Sequence, residues 1–117
     1  MIVKPQELIA RAKASVDCVS PEQARSLSEH QPNTVLIDVR EPGEVEQSSV
    51  PGAINIPRGV LEMTVEEQVP DHDCPVLVCC ATGGRAALSA KTLKEMGYTQ
   101  VKVIDCEHLG IKTAFAQ

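Results

Sequence analysis

Apolar residues in this chain fall into short continuous runs that are separated by longer stretches with helical spacing. The runs at residues 34–39, 76–79 and 101–104 are rich in β-branched and aliphatic residues. Runs of this kind are typical of strands buried on both faces of a parallel sheet. Two shorter strands are predicted at residues 15–19 and 53–56.

Helices are predicted between the strands, with a helical turn at residues 44–47 and longer helices at residues 5–14, 21–29, 60–68, 84–96 and 109–115. The first would present an apolar stripe of Leu8, Ile9 and Ala12. In the second, Ser20 and Gln23 have the spacing of a capping box. Strands that alternate with helices predict an α/β fold, with a parallel sheet and helices on both faces.

Composition limits the classes of function. The 117 residues suit one domain, and an apolar content of 43% suffices for one core. Tyr98 and Phe115 are the only aromatic residues, and the net charge is -5. Both features argue against nucleic acid as a partner. No apolar run approaches the length of a transmembrane helix, so no membrane partner is expected.

The chain has five cysteines and no secretory signal at its N-terminus. An odd number of cysteines in that context predicts reduced thiols and a cytoplasmic location. The adjacent pair Cys79-Cys80 is poorly spaced for a metal, and no His or Cys recurs at zinc spacing. We therefore expect neither a metal nor an organic cofactor.

The segment from Val76 to Ala86 carries the strongest chemical signal. It reads as a buried strand that ends in cysteine, passes through Gly83 and Gly84, and opens a helix. Glycines let successive amides of such a loop point inward, and the helix N-terminus adds partial positive charge. A cysteine at the rim of this loop would favour the thiolate, which is the nucleophilic form. The pattern predicts a reactive Cys80 in a cup built for an anion, with Arg85 beside it.

Other polar residues follow the predicted strands. Asp38 and Arg40 come at the end of one strand, Cys80 follows a second, and Asp105 follows a third. Ligands of parallel sheets bind outside the carboxyl ends of the strands. We therefore expect these residues to gather at one edge of the sheet.

Three blocks together resemble the signature of rhodanese domains, which are thiosulfate sulfurtransferases and related persulfide carriers. The blocks are LIDVREP at residues 36–42, VPGAINIP at residues 50–57 and CATGGRA at residues 80–86. They recur in the family's order and spacing. The resemblance implies a single-domain rhodanese fold over residues 16–117, with a five-stranded parallel sheet, and leaves residues 1–15 as an additional N-terminal helix.

The resemblance implies that Cys80 is the nucleophile. It would take a sulfane sulfur from thiosulfate or another small anionic donor and pass it to cyanide, a cellular thiol or a sulfur-accepting protein. The amides of the loop would stabilise the thiolate and the persulfide, and the loop consists of Ala81, Thr82, Gly83, Gly84, Arg85 and Ala86. Arg85 would either close the loop catalytically or bridge it to a neighbouring acid.

Supporting residues have structural alternatives. Asp38 and Arg40 either line the pocket or form a buried ion pair that fixes the strand end. Arg58 could attract an anion, although a solvated arginine is the simpler interpretation. Ser48-Ser49 replaces a Gly-His pair that many family members carry, and the segment from Asp105 to His108 replaces a Gly-Gly turn.

The departures from the family pattern leave two residues with open roles. Cys106 could approach Cys80 as a resolving thiol, or pack as an inert loop cysteine. His108 could be a base, or a hydrogen-bonded structural histidine.

Two alternative functions remain open. Counted from Cys80 to Arg85 the loop has six residues, the length that goes with sulfur transfer in this family. Counted from Cys79, five residues precede Arg85, which is the spacing of the phosphatases and arsenate reductases that share the fold. The other alternative is a persulfide relay or regulatory module that docks a partner and turns over poorly alone.

Overall fold

The computed structural model describes all 117 residues, and its centre is a sheet of five parallel strands. The strand order is β1-β5-β4-β2-β3. The strands are β1 Asp17–Val19, β2 Val35–Asp38, β3 Ile54–Asn55, β4 Pro75–Cys79 and β5 Gln100–Ile104. The all-parallel sheet confirms the α/β prediction.

Six helices cover the two faces of the sheet. They are α1 Pro5–Ser15, α2 Pro21–His30, α3 Pro42–Gln47, α4 Leu61–Gln68, α5 Gly84–Met96 and α6 His108–Phe115, with a 3-10 turn at Arg58–Val60. The predicted capping box at the start of α2 is present, because the Gln23 amide donates to Ser20 Oγ and the Ser20 amide donates to Gln23 Oε1. No helix has the length and apolarity that crossing a membrane requires.

The core consists of two clusters, one on each face of the sheet. Residues of α1, α4 and α5 belong to the larger cluster, and residues of α2 and α6 belong to the smaller one. Successive side chains of a strand point to opposite faces. In β4 this rule places Val78 in the larger cluster and Leu77 in the smaller one.

A few local expectations are wrong. Leu8 is 46% exposed and does not complete the apolar stripe of α1, since only Ala12 of that stripe is buried. Ser15 ends α1 instead of opening β1, and α3 begins at Pro42, two residues before the predicted turn. The early start of α3 follows from proline, which suits the first turn of a helix because its missing N–H needs no partner there.

A buried ion pair holds the carboxyl end of β2. The Arg40 guanidinium donates to both carboxylate oxygens of Asp38 at 2.8–3.1 Å, and the side chains are 5% and 1% exposed. Arg40 also donates to the carbonyls of Glu44 and Ser48 at 3.5 and 2.7 Å. The pair therefore ties α3 to the sheet, which supports the structural interpretation of these two residues.

Helix α6 is joined to α3 by a polar cluster. Ser48 Oγ lies 2.8 Å from His108 Nε2 and accepts a hydrogen bond from Lys112 Nζ at 3.0 Å. His108 Nδ1 is buried without a partner. The His108 amide donates to the carbonyl of Ala81 at 2.9 Å, so the cluster also fixes the segment that follows β4. Of the two roles considered for His108, these contacts fit the hydrogen-bonded structural histidine.

Replacing Arg40 with methionine is expected to lower the free energy of unfolding by about 3–5 kcal/mol, because the Asp38 carboxylate would stay buried without its partner. Urea unfolding measures the change. Arg58→Met is the matched control, since Arg58 pairs with Glu62 at the surface, and it should cost less than about 0.5 kcal/mol. Equal losses in the two variants would contradict the assignment of the buried pair.

Stability is expected to fall as the pH drops below 6.5. Burial, followed by the charge of Arg40, lowers the pKa of His108; Lys112 acts in the same direction, and Asp38 and Glu44 oppose it. The unfolded chain therefore binds this proton more readily, and stability that is fully present above pH 6.5 is lost as the pH falls toward the lowered pKa.

Urea unfolding between pH 5 and 8 tests this expectation, with His108→Asn as the comparison. The variant should lose this part of the pH dependence. An unchanged slope in His108→Asn would assign the dependence to other groups.

Candidate active site

The segment after β4 turns sharply into α5. Gly83 is the N-cap residue of α5 and has a φ of +102°, a left-handed conformation that suits glycine. Because of this turn, the amide of Gly83 points back toward the end of the strand. The amides at the start of α5 have no partners within the helix and are free to donate in the same direction.

Two of these amides converge on the sulfur of Cys80. The N–H of Gly83 donates to Cys80 Sγ at 3.1 Å, and the N–H of Ala86 donates at 3.3 Å. Both donors, and the N-terminus of α5 to which they belong, direct partial positive charge at the sulfur. Two of the six loop amides that were predicted to form a cup therefore face Cys80, while those of Ala81, Thr82, Gly84 and Arg85 do not donate to its sulfur.

The expected exposure of Cys80 is wrong. The residue is only 1% exposed and belongs to the larger core cluster, so its sulfur lies at the bottom of the cup and not at its rim. The physical reason is the tight curl of the loop, which brings two amides to hydrogen-bonding distance and closes the space around the sulfur.

The outer side of the loop is packed against α1 and the segment after β5. A Cβ placed on Gly83 would lie 2.7 Å from Oδ1 of Asp105 and 3.6 Å from Lys13 Nζ, and one placed on Gly84 would lie 2.9 Å from Ile9 Cδ1. Lys13 and Asp105 form an ion pair at 3.1 Å. Asp105 therefore does reach the predicted edge of the sheet. The division of the chain into an additional helix at residues 1–15 and a main domain at residues 16–117 stays a prediction.

Arg85 is held by an acid from α3. Its guanidinium donates to the two carboxylate oxygens of Glu44 at 2.6 and 3.0 Å. These bonds and the one from the Glu41 amide hold the pKa of Glu44 at about 2, below its ordinary 4.5. The hydrogen bonds between Arg85 and Glu44 also raise the pKa of Arg85. Of the two roles considered for Arg85, the contact fits the bridge to a neighbouring acid.

Cys79 faces away from the cup. The strand alternation places it in the smaller core cluster, and its Cα is paired in register with Asp38. Burial, followed by the negative charges of Asp38 and Cys80, raises the pKa of the Cys79 thiol far above 9.0. These surroundings oppose a thiolate at Cys79.

The remaining candidates lie outside the cup. Arg58 pairs with Glu62 at the surface, which fits a solvated arginine. Cys106 packs against the smaller cluster, on the face of the sheet opposite Cys80, which favours an inert loop cysteine over a resolving thiol. All five cysteines are unpaired, and no group of three His, Cys, Asp or Glu residues has the geometry of a metal site.

Sequence reasoning missed three residues at the cup. Glu44 was expected only within a helical turn, and Ile9 and Lys13 only within the first helix. A Pro two residues before Glu44 and a capping box with Glu41 mark the start of α3, and this was the available signal for the position of Glu44. Nothing in the local sequence of α1 indicates that it contacts the loop.

Comparisons with known proteins agree on one family. The rhodanese-like domain matches residues 20–107. The thiosulfate sulfurtransferase PspE of Escherichia coli (strain K12) is 41% identical over 66 residues, which are 56% of this chain and 64% of that enzyme. The chain therefore spans less than two thirds of the length of this relative.

Two solved structures resemble nearly the whole chain. A protein of unknown function from Rhodopseudomonas palustris, described as a "Possible Tyrosine Phosphatase", has a TM-score of 0.83 and 27% identity, with 97% of this chain and 92% of that chain covered. A polysulfide-sulfur transferase homodimer from Wolinella succinogenes has a TM-score of 0.75 and 33% identity, with 88% and 77% covered. The fold, the three sequence blocks and the family match agree, and the chain belongs to the rhodanese-like family.

Proposed function

We propose that this protein is a sulfurtransferase that carries a sulfane sulfur as a persulfide on Cys80. The observation that carries the proposal is the pair of amide hydrogen bonds from Gly83 and Ala86 to Cys80 Sγ. Donors fixed before the reaction stabilise a negative charge on sulfur without reorganising. The names of the family relatives support the same class of reaction.

The reaction has two displacement steps. In the first, the Cys80 thiolate attacks the outer sulfur of a donor such as thiosulfate, the S–S bond of the donor breaks, and sulfite leaves with the bonding electron pair. In the second, an acceptor such as cyanide or a thiolate attacks the outer sulfur of the persulfide, and the Cys80 thiolate leaves. Covalent catalysis of this kind gives ping-pong kinetics.

The negative charge moves between two sulfur atoms during the cycle. It starts on Sγ, passes to the outer sulfur of the persulfide, and returns when the acceptor has reacted. The Gly83 and Ala86 amides face the starting position. We assign the passage of donor and acceptor to the other loop residues, Ala81, Thr82, Gly84 and Arg85, of which Thr82 is exposed. Asp38 and Arg40 support the site by fixing α3, which brings Glu44 to Arg85.

The phosphatase reaction is the second candidate, favoured by the likeness to the Rhodopseudomonas palustris structure. It would use Cys79 as its nucleophile in the longer register. The burial of Cys79 on the opposite face of the sheet argues against it. Hydrolysis of a generic phosphate ester that is lost in Cys79→Ser and kept in Cys80→Ser would establish this candidate instead.

A persulfide relay is the third candidate, and it shares the first step. It differs in that cyanide-dependent turnover would be negligible until a sulfur-accepting protein is added. The identity of the physiological acceptor, whether a small thiol or a protein, is part of the proposal, and the family match does not show it. A cytoplasmic location, expected from the odd number of cysteines, stays a prediction.

Incubation with thiosulfate is expected to add one sulfur atom to the wild-type protein, as measured by intact mass. Cys80→Ser should gain none and should lose cyanide-dependent turnover by on the order of 10⁶-fold, the scale seen when a nucleophile is removed. Cys79→Ser is the matched control and should keep both activities. Sulfur that is retained on Cys80→Ser would remove Cys80 from the mechanism.

Gly83→Ala is expected to slow alkylation of Cys80 by iodoacetamide by about tenfold or more. The new Cβ would strain the left-handed φ and meet Asp105, which would turn the Gly83 N–H away from the sulfur. A hydrogen bond to a charged group contributes about 1.5–3 kcal/mol, and 1.4 kcal/mol corresponds to tenfold.

Gly97→Ala is the control for this variant. Gly97 has a similar φ of +115°, lies at the far end of α5, and has open space around its Cβ position. Both variants should lose about 1–2 kcal/mol of stability from the left-handed backbone. Only Gly83→Ala should change the alkylation rate, and equal rates in the two variants would contradict the role of the amide.

A further inference from the structure

The electrostatics of the cup differ from those of a simple anion site. The structure places two cations at the loop, and each is paired with a carboxylate. Arg85 belongs to the loop and donates to both oxygens of Glu44 at 2.6 and 3.0 Å. Lys13 lies beside Gly83 and pairs with Asp105 at 3.1 Å. These two pairs add no net positive charge to the entrance.

Two of the loop amides are already engaged by the sulfur. Those of Gly83 and Ala86 already donate to Cys80 Sγ, and the sulfur is buried beneath them. A doubly charged donor would have to leave water and enter a cup that already holds a thiolate. Bringing like charges together in a site of reduced dielectric is costly unless a free cation compensates. Arg85 is the cation that belongs to the loop, but its guanidinium already donates to the carboxylate of Glu44.

We propose that Glu44 makes this site selective for sulfur donors of low charge, because it withholds Arg85 from a dianion such as thiosulfate and favours hydropersulfides of the form R–S–SH. The proposal rests on the sulfur transfer proposed above and names the class of donor for the same site. Glu44 acts through Arg85 and is a specificity-determining residue, not a catalytic one.

The favoured step is balanced without any redox partner. The Cys80 thiolate attacks the outer sulfur of R–S–SH and forms a new S–S bond. The S–S bond of the donor breaks, and R–S⁻ leaves with the electron pair and takes the proton that the new persulfide releases. The products are Cys80–S–S⁻ and R–SH, and the total charge of -1 on the reacting groups is unchanged.

The test uses the full chain and only the first half of the reaction. The rate of sulfur addition to Cys80 is measured by rapid quench and intact mass, over a range of concentrations of thiosulfate and of 2-hydroxyethyl hydropersulfide. Each titration separates an apparent Kd from a limiting rate. The ratio of the two donors' second-order rate constants is then compared between proteins, so that the intrinsic reactivity of each donor cancels.

Glu44→Gln removes the charge but keeps an oxygen that can accept from the Glu41 amide, so the start of α3 is preserved. The variant should raise the rate constant for thiosulfate about tenfold, chiefly through a lower Kd, and change that for the hydropersulfide less than about twofold; tenfold corresponds to 1.4 kcal/mol. Glu44→Asp, which keeps the charge, should stay close to the wild-type ratio.

Glu62→Gln is the matched control, because it neutralises an acid paired with a surface arginine away from the cup. It should leave both donors unchanged. Equal changes for both donors in Glu44→Gln would mean that Glu44 only positions Arg85, and no change for either would mean that it has no role. Both outcomes overturn the proposal. Should Glu44→Gln fail to fold, Glu44→Ala must shift the ratio in the same direction.

Failure of the proposed function gives a different result. If wild-type Cys80 gains no sulfur from either donor, the sulfurtransferase assignment is wrong. If it gains sulfur from both donors while the ratio is insensitive to Glu44, only the selectivity proposal is wrong.

Discussion

The candidate site depends on one backbone constraint, the left-handed conformation of Gly83. A φ of +102° turns the chain from β4 into α5 within a few residues and aims the Gly83 amide at Cys80 Sγ. A Cβ at Gly83 would lie 2.7 Å from Oδ1 of Asp105, so a side chain there would also displace this carboxylate. The helix then supplies the Ala86 amide and the positive end of its dipole. Cup and helix are consequences of the same turn.

The polar groups around the cup form a connected scaffold. Arg40 fixes α3 through the carbonyl of Ser48, and α3 presents Glu44 to Arg85. The amide of His108 in turn holds the carbonyl of Ala81. The acids and bases of this region mostly position one another, so Arg85 and Lys13 stand at the loop without giving it a net positive charge.

The fold and the loop could be predicted from the sequence, because both depend on local patterns. The β4 run followed by Gly83 and Gly84 predicted the strand, turn and helix, and α5 occupies the predicted residues 84–96. The contacts of Glu44, Ile9 and Lys13 could not be predicted, because each depends on how distant segments pack. The burial of Cys80 was missed for the same reason, since it depends on the tightness of the curl.

The alternation of β4 separates the thiols of this protein. Cys79 and Cys106 pack on the side of the sheet opposite Cys80, and Cys74 lies just before the strand, at its other end. Peroxide would convert a thiolate at Cys80 to a sulfenic acid, which is normally rescued by condensation with a second thiol. Cys79 and Cys106 pack in the opposite cluster and are not favoured for that role, so a small external thiol is the simpler partner for a sulfenic acid at Cys80.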